Sequence, residues 1–127
     1  MPVGGFDAGA NVWVENGELY FYLEQSGCFD ENNQALKLGR FHFRFLKGSG
    51  ERFDPFSADF RQELDLENGR VQLQGKDGFQ AEIWFDVRRP VCHMDCQAAI
   101  PFSVEAIYES WRTAERELPE LERPALR

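Results

Sequence analysis

Alternation with a period of two runs through most of the chain and constrains its fold more than any other feature. Phe41, Phe43 and Phe45 alternate with Arg40, His42 and Arg44, the pattern of a strand with one buried and one wet face. Phe79, Ala81, Ile83, Phe85 and Val87 alternate with Gln80, Glu82, Trp84 and Asp86. Phe60, Gln62, Leu64 and Leu66 do so with Arg61, Glu63 and Asp65, and Phe102, Val104, Ala106 and Tyr108 with Ser103, Glu105, Ile107 and Glu109. Shorter strands fit residues 10–14, 18–24, 70–74 and 91–96. Asn16-Gly17, Asn68-Gly69 and Asp77-Gly78 fall between such segments and suit type I′ hairpins, whose two central residues both take positive φ. The expected fold is an all-β antiparallel sandwich of about eight strands, with no segment of helical period. Residues 25–36 and 47–58 exceed hairpin length and read as crossings between sheets or as functional loops.

Twelve Phe, three Trp and three Tyr exclude a disordered chain. A length of 127 residues buries about two thirds of its unfolded surface, enough for one core. The 22 acids outnumber 14 Lys and Arg, giving a formal charge of −8. Nucleic acid and anionic membrane surfaces are therefore not expected partners, because both require a positive stripe. Apolar runs of about four residues are too short to span a membrane, and no charged-then-apolar leader precedes Pro2. Residues 1–112 are read as the sandwich. Residues 113–127 are mostly charged and broken by Pro119 and Pro124, which reads as a tail or a truncated linker.

Candidate chemistry is sparse. Cys92 and Cys96 have a metal-like spacing, but on a strand they lie about 13 Å apart on one face, too far for a disulfide. His93 points the other way, so buried free thiols are expected, and neither a metal nor a cofactor is. His42 and His93 stand on alternating strands without a nucleophile motif, and a sheet-face role is expected of both. The segment Cys28-Phe29-Asp30-Glu31-Asn32-Asn33-Gln34 is the densest cluster of side-chain oxygens. Ala35 and Phe41 stand where a calcium loop needs Gly and Glu, so it is not one. It reads as an acidic turn, or as a loop that contacts sugar hydroxyls or another domain. Trp84 and Trp111 occupy the polar phase of their strands and mark a face packed on another domain or a stacking platform. Trp13, between Val12 and Val14, is assigned to the core.

The opening Pro2-Val3-Gly4-Gly5-Phe6-Asp7-Ala8-Gly9-Ala10-Asn11-Val12-Trp13-Val14 resembles the start of the N-terminal β-sandwich in bacterial proteins related to glycoside hydrolase family 95, the α-L-fucosidase-like group. The chain is similar, more closely, to an uncharacterised N-terminal domain family within that circle. The likeness continues through Ser26-Gly27-Cys28-Phe29-Asp30-Glu31-Asn32-Asn33 and Leu36-Lys37-Leu38-Gly39-Arg40. It returns at Phe60-Arg61-Gln62-Glu63-Leu64-Asp65-Leu66, Trp84-Phe85-Asp86, Arg89-Pro90 and Glu109-Ser110-Trp111-Arg112. Gly5 and Phe6 depart from the Asn-Gly of the wider pattern, and the resembled sandwich is about twice as long and precedes an α/α barrel that carries the catalytic carboxylates. The resemblance thus implies a supersandwich-like, non-catalytic front part of a carbohydrate-active protein, with no catalytic residue in this chain. It further implies packing on the catalytic domain of the same parent chain through Trp84, Trp111 and Arg112. Asp30, Glu31 and Asn32 would then sit at the rim of a glycan cleft, in an exported parent, periplasmic or extracellular. The alternatives are a free-standing carbohydrate-binding module and a structural interaction domain whose open sheet edge pairs with a partner.

Overall fold

A computed structural model describes residues 1–29, 36, 39–111, 113 and 114. Ten strands form two antiparallel sheets: β1 (Pro2–Gly5), β2 (Ala8–Glu15), β3 (Glu18–Gln25), β4 (Gly39–Lys47), β5 (Arg52–Phe53), β6 (Arg61–Asp65), β7 (Arg70–Gln74), β8 (Gln80–Phe85), β9 (Cys92–Gln97) and β10 (Phe102–Ser110). The first sheet has the order β1-β2-β3-β4-β10, and the second is the simple meander β6-β7-β8-β9. In the first sheet β4 pairs with three other strands. It pairs along its full length with β10, while its other edge is shared by β3, opposite Arg40–Phe43, and β5, opposite Phe45 and Leu46.

The inward phases meet between the sheets. Val12, Leu19, Phe21 and Phe45 face Val71, Leu73, Ala81, Ile83 and Phe85, and Phe53, Phe56 and Phe79 close one end. Phe45 is the hub, edge-on to Phe56 at 5.8 Å and to Phe79 at 4.9 Å between ring centroids. Burying one such ring contributes about 1.5–3 kcal/mol. Nine of the twelve Phe lie in this core or against it, whereas Phe6, Phe29 and Phe60 are exposed.

The structure adds β1 and β5 to the expected strands. Both are short, and β5 lies within a stretch whose Gly48, Gly50 and Pro55 mask a two-residue pairing. The turns divide. Asn16 and Gly17 both have positive φ, as do Asp77 and Gly78. At Asn68-Gly69 only Gly69 does, because the β6–β7 loop spans four residues and the Asp65 carboxylate holds it by accepting from the Asn68 backbone and side-chain N–H groups. Leu66 and Val87 fall beyond their strands and are exposed. Val104 keeps the inward phase yet is 39 % exposed, since β10 extends past the cover of the second sheet. Trp13 is a correction: it lies on the outer face of the first sheet, stacked 5.2 Å from Tyr20, because the inward phase of β2 belongs to Ala10, Val12 and Val14.

Candidate functional site

Register organises the outer face of the first sheet into rungs, three of which matter for the site. The first runs Gly4–Gly9–Glu24, the second Pro2–Asn11–Tyr22–Arg40–Glu109, and the third Trp13–Tyr20–His42–Ile107. Two of the three residues on the first rung have no side chain, so the sheet is sunken there. A Cβ on Gly4 would lie 3.1 Å from the Ala8 carbonyl oxygen, which leaves little room for a larger residue. Beside this floor stand the exposed rings of Phe6, Tyr22, Phe29 and Trp111. Together they bound an open groove of about 1050 Å³.

Local sequence sets each wall. Phe6 heads the two-residue β1–β2 turn at φ 51 and is exposed there. Tyr22 stands on the outward phase of β3, and Trp111, just beyond β10, meets it edge-on at 5.1 Å. Tyr22 also touches Trp13 at 4.4 Å, so aromatic contact continues from the groove wall across the face to Tyr20 and His42. Asp7 lines the groove; its Oδ2 accepts from Gln25 Nε2 at 3.2 Å, and its Oδ1 is buried without a partner.

Next to the groove lies a network of ion pairs. His42 is 4 % exposed and Glu18 5 %, although both stand on the outer face. Glu18 accepts from His42 Nδ1 at 2.6 Å and from Arg44 Nε at 2.8 Å, with Arg52 at 3.3 Å. Burial pushes the Glu18 carboxyl up, and the bonds from His42 and Arg44 outweigh it, so the group sits below its ordinary value. Glu109 pairs with Arg40 at 2.6 Å, which holds its carboxyl low as well, and with His42 Nε2 at 3.2 Å. Burial and the neighbouring Glu18 push the Tyr20 hydroxyl up. The network joins β3, β4, β5 and β10, and its acids are engaged in structure.

Of the residues expected to act, Asp30, Glu31, Asn32 and Arg112 lie outside the described residues. Trp111 is at the groove. Trp84 is on the opposite outer face of the sandwich, stacked 5.1 Å from His93 on the second sheet. The two tryptophans thus belong to different surfaces. Cys92 and Cys96 are free and half-buried on the inward phase of β9, and burial pushes both thiols up to about 11. Among the described residues, no cluster of three His, Cys, Asp or Glu is placed to hold a metal ion. Tyr20, Tyr22 and the Gly4–Gly9 pair were not singled out from the sequence, although Tyr20 and Tyr22 share the phase of Glu18 and Glu24. That phase was the available signal.

These features define an all-β sandwich with an aromatic-walled groove on one outer face, an architecture that carries no fixed chemistry by itself. The chain belongs to the DUF5703_N family, a domain of unknown function, whose profile matches residues 1–126. Neither the curated proteins nor the solved structures yield a match.

Proposed function

We propose that the domain is the non-catalytic β-sandwich of a carbohydrate-active protein related to glycoside hydrolase family 95, and that its outer groove holds a glycan. The observation that carries this reading is the conjunction of four exposed rings, Phe6, Tyr22, Phe29 and Trp111, beside the sunken Gly4–Gly9 floor. The apolar C–H face of a sugar ring packs on an aromatic ring, while its hydroxyls need nearby acceptors and donors. Asn11, Glu24 and Gln25 supply these at the groove. The resemblance of the chain to family-95 sandwiches suggests the carbohydrate context and implies that the catalytic carboxylates belong to a separate α/α barrel. The uncovered inward phase of β10, at Val104 and Ala106, is the surface on which that barrel packs. Asp30, Glu31 and Asn32 remain candidates for the rim.

Calorimetric titration of the chain with fucosylated and galactosylated oligosaccharides tests the reading. Binding that is lost in Trp111→Ala and kept in Trp84→Phe supports it. Flat traces throughout, at a concentration where the chain is folded, remove it. The rival interaction domain without a small ligand predicts those flat traces together with self-association in size-exclusion chromatography.

A further inference from the structure

Resting on the glycan reading, we propose that the groove selects uncharged oligosaccharides and turns away chains bearing carboxylate or sulfate groups. Among the described residues that line it, the charged side chains are Asp7 and Glu24, with no lysine or arginine. Glu24 is exposed and stands on the glycine rung opposite Gly9, so its carboxylate borders the part of the floor that has no other side chain. An anionic group laid along that rung meets a like charge and finds no described cation in the lining to offset it. Arg40, on the neighbouring rung, is already engaged. Its Nε donates to Glu109 at 2.6 Å and its guanidinium lies over the Tyr20 ring at 5.1 Å.

Size adds a second criterion. A volume of about 1050 Å³ reaches the upper end of the roughly 300–1,000 Å³ that encloses a drug-sized ligand. The floor extends from the Phe6 turn to the Trp111 wall, which suits several sugar rings in a row better than one. Each ring can then rest on an aromatic wall while the Gly4–Gly9 backbone lets the chain approach closely.

The experiment compares each neutral oligosaccharide of the fucosylated and galactosylated panel with its own sulfated form and with its component monosaccharides, titrated into the full chain at low salt. The neutral oligosaccharide is expected to bind about tenfold or more tightly than its sulfated form, because like charges a few ångströms apart repel at that order. Glu24→Gln is expected to shrink the ratio, as is high salt, which screens the exposed carboxylate. Equal or tighter binding of the sulfated form, or a ratio indifferent to Glu24→Gln, overturns the selectivity and leaves the glycan reading standing. A monosaccharide that binds as tightly as the oligosaccharide overturns the size criterion. Absence of heat with every ligand overturns both proposals.

Discussion

His42 is held between two carboxylates, with Nδ1 2.6 Å from Glu18 Oε2 and Nε2 3.2 Å from Glu109 Oε1. Both carboxyls sit below their ordinary values, Glu18 in spite of its burial, held there by the bonds from His42 and Arg44 to Glu18 and from Arg40 to Glu109, and one ring thus ties β3 to β10 across β4.

Acid stability follows from the Glu18 side of this arrangement. A carboxyl whose folded pKa is depressed contributes stability that is present above its unfolded value, here 4.5, and is lost as pH falls through the folded value. Unfolding free energy from urea titrations is expected to hold steady above about pH 5 and to decline below it. In Glu18→Gln that acid limb should be shallower, and Glu18→Ala should cost about 3 kcal/mol at neutral pH by leaving His42 and Arg44 without their buried partner. An unchanged acid limb in Glu18→Gln would assign the loss to other carboxylates, such as Asp65 or Asp86, which are also held low.

Phe6 occupies a left-handed conformation, φ 51, that costs a side-chain-bearing residue about 1–2 kcal/mol. Phe6→Gly should therefore stabilise the fold by about 1 kcal/mol once the larger chain entropy of glycine is counted. The same change removes a wall of the groove, so glycan affinity should fall. Stability and binding moving in opposite directions in one variant is the result to look for, with denaturant titration for the first and calorimetry for the second.

Gly39, at φ 143, opens β4 where β10 ends. A Cβ there would lie 2.2 Å from the Glu109 carbonyl oxygen. Backbone stands in the way and cannot rotate aside. Gly39→Ala is expected to destabilise the chain by about 2 kcal/mol or more. Hydrogen exchange should locate the damage, with faster exchange along β10 and little change in β6–β9. Uniform acceleration over both sheets would contradict a local clash.

Cys92 and Cys96, with thiols near 11, are overwhelmingly protonated at pH 8. An exposed thiol reagent at that pH should modify them far more slowly in the native chain than in urea, where the thiols return toward 8.5. Oxidation of the native chain should not join them, since four strand positions separate them by about 13 Å. Rapid native labelling at both positions would mean that β9 opens readily.

The strands were legible because apolar residues hold one phase of β4, Phe41, Phe43 and Phe45, and one phase of β8, Ala81, Ile83 and Phe85, so that burial follows from the alternation. Cys92 and Cys96 on the inward phase, with His93 outward against Trp84, were readable by the same rule. The groove was not, for two reasons. Its floor consists of glycines, whose contribution is an absence that only the pairing Gly4–Gly9–Glu24 gives meaning. Its walls come from positions distant in sequence, Phe6, Tyr22, Phe29 and Trp111, which the sheet order brings together. Trp13 misled because flanking valines imitate a core strand, although Asn11 and Glu15 share its phase. The match to a domain family of unknown function agrees with the narrower likeness seen in the sequence, while the family-95 connection stands as a proposal.

The strand order also bears on how the domain is made. Every pairing in β6–β9 joins neighbours in sequence, so that sheet can zip from its own hairpins. β10 instead returns to β4 across more than fifty intervening residues, a closure whose entropy must be overcome before any of its contacts is rewarded. Trp111 arrives only with that last strand. During folding the second sheet can form while the groove still has no far wall, and a ligand present at that stage has nothing complete to hold. On the proposed glycan reading, recognition on this face is a late acquisition of the folding chain, and a bound glycan is expected to stabilise mainly the step in which β10 docks.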